Sequence, residues 1–228
     1  MDARVRFWAL VGIAGQVLFV LSFLVAGLWQ GDRYSVLEHT ISDMYADGAP
    51  HGLLLALLIA VSGAATVAFA LGAWHPTFRS ADRFGTTSTV LLVLSIPALG
   101  DLLAPFEREG CPLADPGCSV SDQMTPGGVA DVVFSSIGIF AMIAFLLVAA
   151  AAMRRAHGWE RWARPTRWVA VGFVVLLVAY LAADAIELGG LVQRALATYT
   201  VGFVGVVGLR ILRAEPASSP GTGTLARP

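Results

Sequence analysis

Hydrophobic residues fall in six long blocks along the chain, at roughly 7–29, 52–74, 84–104, 128–153, 166–187 and 191–212, with short polar stretches between them. Each block is about long enough to cross a hydrocarbon layer of ~30 Å as a helix. A backbone in lipid must satisfy its own hydrogen bonds, and runs this long and continuous exceed any strand. The pattern therefore predicts an all-α, polytopic membrane protein of six transmembrane helices. Pro97 lies within the third block and predicts a kink. The first block follows Asp2, Arg4 and Arg6 as a signal peptide would. It stays apolar from Phe7 to Leu28 without a small-residue cleavage site, so it reads as a retained helix.

The longest polar interruption near the start runs from Tyr34 to Gly52, YSVLEHTISDMYADGAPHG. Leu37, Ile41 and Met44 recur there at helical spacing, with Glu38, His39 and Ser42 on the opposite side, which predicts a short amphipathic helix in the first outer loop. Ser35 and Glu38 fit the S-x-x-E capping box, so a helix start is the plainest account of Glu38.

Composition strengthens the membrane reading: the chain is 57% hydrophobic and 14% charged, against roughly 45–50% and 25% in soluble domains. There is no lysine, so all 15 basic residues are arginines. Arg4, Arg6, Arg79, Arg83, Arg154, Arg155, Arg161, Arg164, Arg167, Arg210, Arg213 and Arg227 fall on one side, and only Arg33, Arg108 and Arg194 on the other. By the positive-inside rule both termini are cytoplasmic, and an even number of crossings agrees. Acidic residues take the opposite side, an asymmetry that topology does not require and that a functional outer surface would explain. The net charge of -1 gives no sign of a nucleic-acid partner. Cys111 and Cys118 are the only cysteines, too few for a four-ligand zinc site, and on an oxidising outer face a disulfide closing GCPLADPGC is expected. After Arg213 the composition turns to Pro, Ser, Gly and Thr. The chain thus divides into a membrane domain, 1–213, and a disordered cytoplasmic tail, 214–228.

Candidate chemistry comes from ionisable groups at the outer level of the helices. His39 and Asp43 are four residues apart and are a metal pair, a proton-transfer pair or an ordinary solvated pair. Asp101 is flanked by apolar residues in IPALGDLLAPF, where a charge is costly enough that it should face other protein groups. Asp131 stands near the start of the fourth helix, where the helix N-terminus alone would favour it. Tyr180, Asp184 and Glu187 share one face of the fifth helix. Gln193 and Arg194 open the sixth, either as a structural ion pair with those carboxylates or as an anchor for an anionic group. Gln16 is most simply an interhelical hydrogen bond. The chain has no G-x-S-x-G, H-E-x-x-H, P-loop or glycine-rich nucleotide signature.

With these residues in view, the chain resembles the six-helix prokaryotic membrane family termed domain of unknown function 998. The likeness rests on Thr40, Ile41, Ser42 and Asp43 in the first outer loop, on Pro105 and Phe106, on GGVAD before the fourth helix, and on GLVQR opening the sixth. The family pattern places His before Asp at the start of helix four. Here that pair is Ala130 and Asp131, so any role of the histidine would be absent or carried by His39 or His51. The resemblance implies a fold and a site, without an activity.

The combined expectation is a protein of the prokaryotic cytoplasmic membrane with a polar cavity open to the extracytoplasmic side. Asp43, Asp101, Asp131 and His39 would be the acid–base groups. Arg194, Gln193, Ser42, Asp184, Glu187 and Tyr180 would bind a lipid-like or isoprenoid small molecule, with no metal or cofactor. A hydrolase or cyclase would use such a set, and so would a non-enzymatic binder or carrier. A structural partner subunit is the third class, and it predicts every charge paired.

Overall fold

The computed structural model describes residues 2–214, with Asp184 described by its backbone alone. The tail expected beyond Ala214 lies outside them. The spans are α1 (Ala3–Ala26), α2 (Gly52–Ala81), the pair α3 (Arg83–Leu94) and α4 (Ile96–Phe106), α5 (Pro126–Arg155), α6 (Glu160–Ala183) and α7 (Gly189–Arg213). No strand occurs among the described residues. Between 22% and 44% of the most apolar window of each unbroken span is buried. Most of these side chains therefore face outward, as lipid contact requires.

The third crossing is not one helix. α3 and α4 meet at 43°, and the break falls at Ser95, whose extended backbone (ψ 163°) stands two residues ahead of the predicted kink site, Pro97. Proline removes an N–H and crowds the turn before it, so the disruption lies on its N-terminal side. Ser95 closes α3 with its own hydroxyl, which donates to the Leu92 carbonyl at 2.6 Å.

Small residues let the helices approach closely, as packing in lipid favours. A Cβ on Gly15 would stand 2.6 Å from that of Ala65, joining α1 to α2, and one on Gly63 would stand 2.6 Å from the Ala98 carbonyl oxygen, at the α4 backbone. The predicted interhelical bond of Gln16 is present, its amide donating to Thr66 Oγ1 at 2.8 Å. Trp74, Phe78, Phe145 and Trp159 centre one core at the arginine-rich end. At the opposite end Ile41, Met44 and Tyr45 of the first loop plug between the helices onto Phe19, Phe23, Leu55 and Ile59.

The predicted amphipathic helix shrinks to two short turns. His39 N–H closes one by donating to the Ser35 carbonyl at 2.8 Å, and Ser42–Tyr45 forms a 3-10 turn. Leu37, assigned to the apolar face, is 50% exposed. The capping box at Ser35 and Glu38 does not form, because the Ser35 N–H donates instead to His39 Nδ1 at 2.9 Å. The loop's carbonyls are satisfied from another span, which removes the need for a continuous helix.

Candidate functional site

The loop between α1 and α2 is held by two arginines. Arg194, 8% exposed, donates through Nη1 to the carbonyls of Val36 (3.0 Å), His39 (2.8 Å) and Gly190 (2.9 Å). Its Nη2 meets the Tyr34 hydroxyl and Met44 Sδ. The opening N–H groups of α7 join in, Gly190 donating to the Glu38 carbonyl and Leu191 to that of Leu37, each at 2.9 Å. Gln193 Oε1 accepts from the Ile41 N–H at 2.6 Å. A helix N-terminus with four unsatisfied donors is thereby capped by a loop. Among the described residues, Glu187 included, Arg194 pairs with no carboxylate, and its guanidinium clamps backbone oxygens; the Asp184 side chain of the expected ion pair lies outside the described residues.

Arg108 holds the other half of the loop. Its Nε and Nη2 donate to the carbonyls of Tyr45 (2.8 Å) and Ala46 (3.1 Å), and Nη1 pairs with Asp47 at 2.8 Å. The predicted disulfide joins Cys111 to Cys118. Its loop reaches back to the first one, where Leu113 N–H donates to Asp43 Oδ1 at 2.5 Å. Gln123 Nε2 donates to Glu109 at 2.8 Å and to the Cys111 carbonyl at 3.3 Å.

These contacts gather five carboxyls at one level. Glu107, Glu109, Asp101 and Asp131 all interact electrostatically with Tyr45, which is 8% exposed. Asp43 and Ser42 face Glu109, and Thr40 Oγ1 takes the Asp43 N–H at 3.2 Å. Three carboxyl oxygens are buried without any donor: Asp43 Oδ2, Asp101 Oδ2 and Glu107 Oε1. Glu107 is 3% exposed. Burial, with Asp131 adding to it, pushes its carboxyl up to about 8. Burial and the charges of Asp131 and Asp43 push Glu109 up to about 7, against a hydrogen bond from Ser42. Burial likewise raises Asp43, opposed by the Leu113 N–H. Tyr45 rises well above its ordinary value, chiefly through burial. A buried carboxyl lacking a counter-charge favours its neutral form, which is the cause at each position.

The structure thus brings together Asp43, Asp101 and Asp131 of the predicted set, with Ser42 at their edge. His39 is buried and stacks on Tyr34 at 5.4 Å between ring centroids, with Nδ1 engaged by Ser35. Arg194 and Gln193 stand on the far side of the loop, spent on its backbone. Tyr180 is half-buried on α6, Glu187 is exposed at a left-handed position (φ 59°) on the following turn, and the Asp184 side chain lies outside the described residues. Glu107, Glu109, Tyr45 and Gln123 were not singled out from the sequence. The available signal was the position of Glu107 and Glu109 directly after Pro105 and Phe106, at the C-terminal end of the bent third pair.

Two clefts open on the flanks of the bundle. The larger, about 370 Å³, runs between α1 and α7 past Gln16, Val17, Thr198, Gly202 and Gly205, and is almost wholly apolar. A fringe of exposed apolar side chains surrounds the carboxyl end itself: Phe106 (77%), Val120 (67%), Met124 (46%) and Leu113 (41%). Among the described residues no three His, Cys, Asp or Glu side chains stand close enough to share a metal ion.

A family model described as "Protein of unknown function (DUF998)" matches residues 13–210. No curated protein and no solved structure matches the chain.

Proposed function

The chain belongs to the DUF998 family, and on that premise we propose that it is a membrane-embedded acid–base site acting on a lipid-like substrate at the extracytoplasmic face of the prokaryotic cytoplasmic membrane. The observation that carries this reading is the trio of buried carboxyl oxygens without donors, contributed by the first loop, by α4 and by the segment after it. A carboxyl raised to about 8, as Glu107 is, holds a proton at neutral pH and can give it up. Groups perturbed in this way cluster at working sites. Glu107 and Glu109 supply general acids, and Asp43 or Asp101 receives the proton. Asp131 sets the local charge, and the exposed apolar fringe around Phe106 accommodates the tail of an amphipathic molecule.

The test is mass spectrometry of lipids extracted from cells carrying the wild-type, Asp101→Asn or Glu107→Gln protein. A lipid species that changes with the wild type and reverts in both variants supports the reading, and identical profiles in all three overturn it. A second reading, a non-enzymatic binder or carrier, is favoured by one feature. His39, expected to assist proton transfer, has Nδ1 engaged by the Ser35 N–H.

A further inference from the structure

Resting on the reading that the carboxyl group around Tyr45 is the working site, we propose that the molecule it receives is a cationic amphiphile, with an N–H-bearing ammonium head and an apolar tail. Among the described residues at this end, three carboxyl oxygens and one indole donor, Trp29 Nε1, are buried without a partner, so acceptors outnumber donors. Asp43 Oδ2, Asp101 Oδ2 and Glu107 Oε1 are acceptors with nothing to accept, and the carboxyl of Glu107 makes no hydrogen bond among the described residues although only 3% of the residue is exposed. The other donors nearby are already committed. Gln123 Nε2 serves Glu109 and the Cys111 carbonyl, the Leu113 N–H serves Asp43 Oδ1, and Ser42 serves Glu109.

Neither arginine at this end can receive an anionic head. Arg108 spends its guanidinium on the Tyr45 and Ala46 carbonyls and on Asp47, and Arg194 spends its own on the loop behind. A phosphate or carboxylate brought here would meet five carboxyls, with the guanidiniums of Arg108 and Arg194 already spent, a juxtaposition that costs rather than contributes. An ammonium supplies three N–H donors on a positive centre; as it binds, a neutral carboxyl gives up its proton to solvent, and the charge-assisted bonds that result are the strong kind. The carboxyls are too dispersed for three of them to grip one metal ion, a spacing that suits a larger head whose N–H groups diverge. Exposed Phe106, Val120, Met124 and Leu113 beside them offer an apolar chain somewhere to lie.

The experiment titrates the purified full-length protein, in nanodiscs of phosphatidylcholine, with dodecylamine, dodecanol, dodecanoate and Ca²⁺ at pH 8.5, following binding calorimetrically. Saturable one-to-one binding of dodecylamine at least roughly tenfold tighter than dodecanol is expected, as loss of a charge-assisted bond predicts. Glu107→Gln and Asp101→Asn should each weaken it by a similar factor, while Glu160→Gln, exposed at the opposite end of the bundle, leaves it unchanged. Should Glu107→Gln fail to fold, the wild-type protein still decides the matter, because affinity for the amine must fall at least roughly tenfold between pH 8.5 and pH 5 as the carboxyls are protonated. Equal binding of dodecanol, tighter binding of dodecanoate, or binding of Ca²⁺ without preference for the amine overturns the proposal. Amine binding with unchanged cellular lipids leaves the ligand class standing and removes the acid–base role. Conversion of a lipid that lacks an amine does the reverse.

Discussion

Replacing Glu107 by Gln keeps the shape of the side chain and removes its proton equilibrium, which makes it the sharpest probe of the carboxyl group. In the native protein this carboxyl is raised from 4.5 to about 8. Between those values the folded chain holds a proton that the unfolded chain releases, so stability falls as pH rises through the window and is level below it. The full displacement corresponds to ~5 kcal/mol at ~1.4 kcal/mol per pH unit. Relaxation of the surroundings and water penetration around a buried charge reduce this to about 2 kcal/mol. The wild type should therefore lose about 2 kcal/mol more than Glu107→Gln between pH 5 and pH 8. Glu109, raised to about 7, adds a slope of the same sign that both proteins share. Equilibrium denaturation in mixed micelles at four or five pH values measures the difference. Parallel curves for the two proteins, or wild-type stability that climbs from pH 5 to pH 8, would refute the assignment.

Three further perturbations test the frame around the site. Arg194→Lys cannot reproduce a planar fork onto several acceptors, so it should cost about 3 kcal/mol and make residues 34–44 more susceptible to limited digestion than in the wild type. Gly63→Ala would drive a methyl group into the backbone at Leu102 N and Ala98 O. The displaced α4 carries Asp101 with it, and destabilisation of about 1–3 kcal/mol is expected together with loss of dodecylamine binding, both read on the same preparation. Cys111→Ser opens a small loop whose closure contributes roughly 2–3 kcal/mol. Because that loop delivers the Leu113 N–H to Asp43, amine binding should weaken in step, measured with and without reductant on the wild type.

The five unbroken spans and the bent third pair were legible because each comes from a long, strongly apolar block. The break at Ser95 was displaced from Pro97 because proline acts on the turn before it. The first loop was harder to read. Its spacing of Leu37, Ile41 and Met44 suits a helix, yet the donors that settle its backbone belong to Arg194, Gln193 and the start of α7. Local pattern carries no trace of such distant partners. The identity of Arg194 as a buried cation was visible, but its acceptors are carbonyls, and every residue has one. Asp43, Asp101 and Asp131 could be picked out by their apolar or helix-start surroundings. Glu107 and Glu109 looked like ordinary loop charges, since only the return of residues 107–123 over Tyr45 buries them.

The clamp on the first loop also sets an order of events during biogenesis. Ile41 and Gln193 are 152 positions apart, and His39 and Arg194 are 155 apart, so the loop emerges from the ribosome long before its fastener exists. Until the last helix has inserted, residues 36–41 lack the donors of Gly190, Leu191 and Arg194 and the Gln193 acceptor that fasten them, and only the contacts of Ile41, Met44 and Asp43 with earlier segments hold the loop. A nascent chain halted after the fifth crossing would be integrated yet unfinished, with its polar loop open to quality-control proteases.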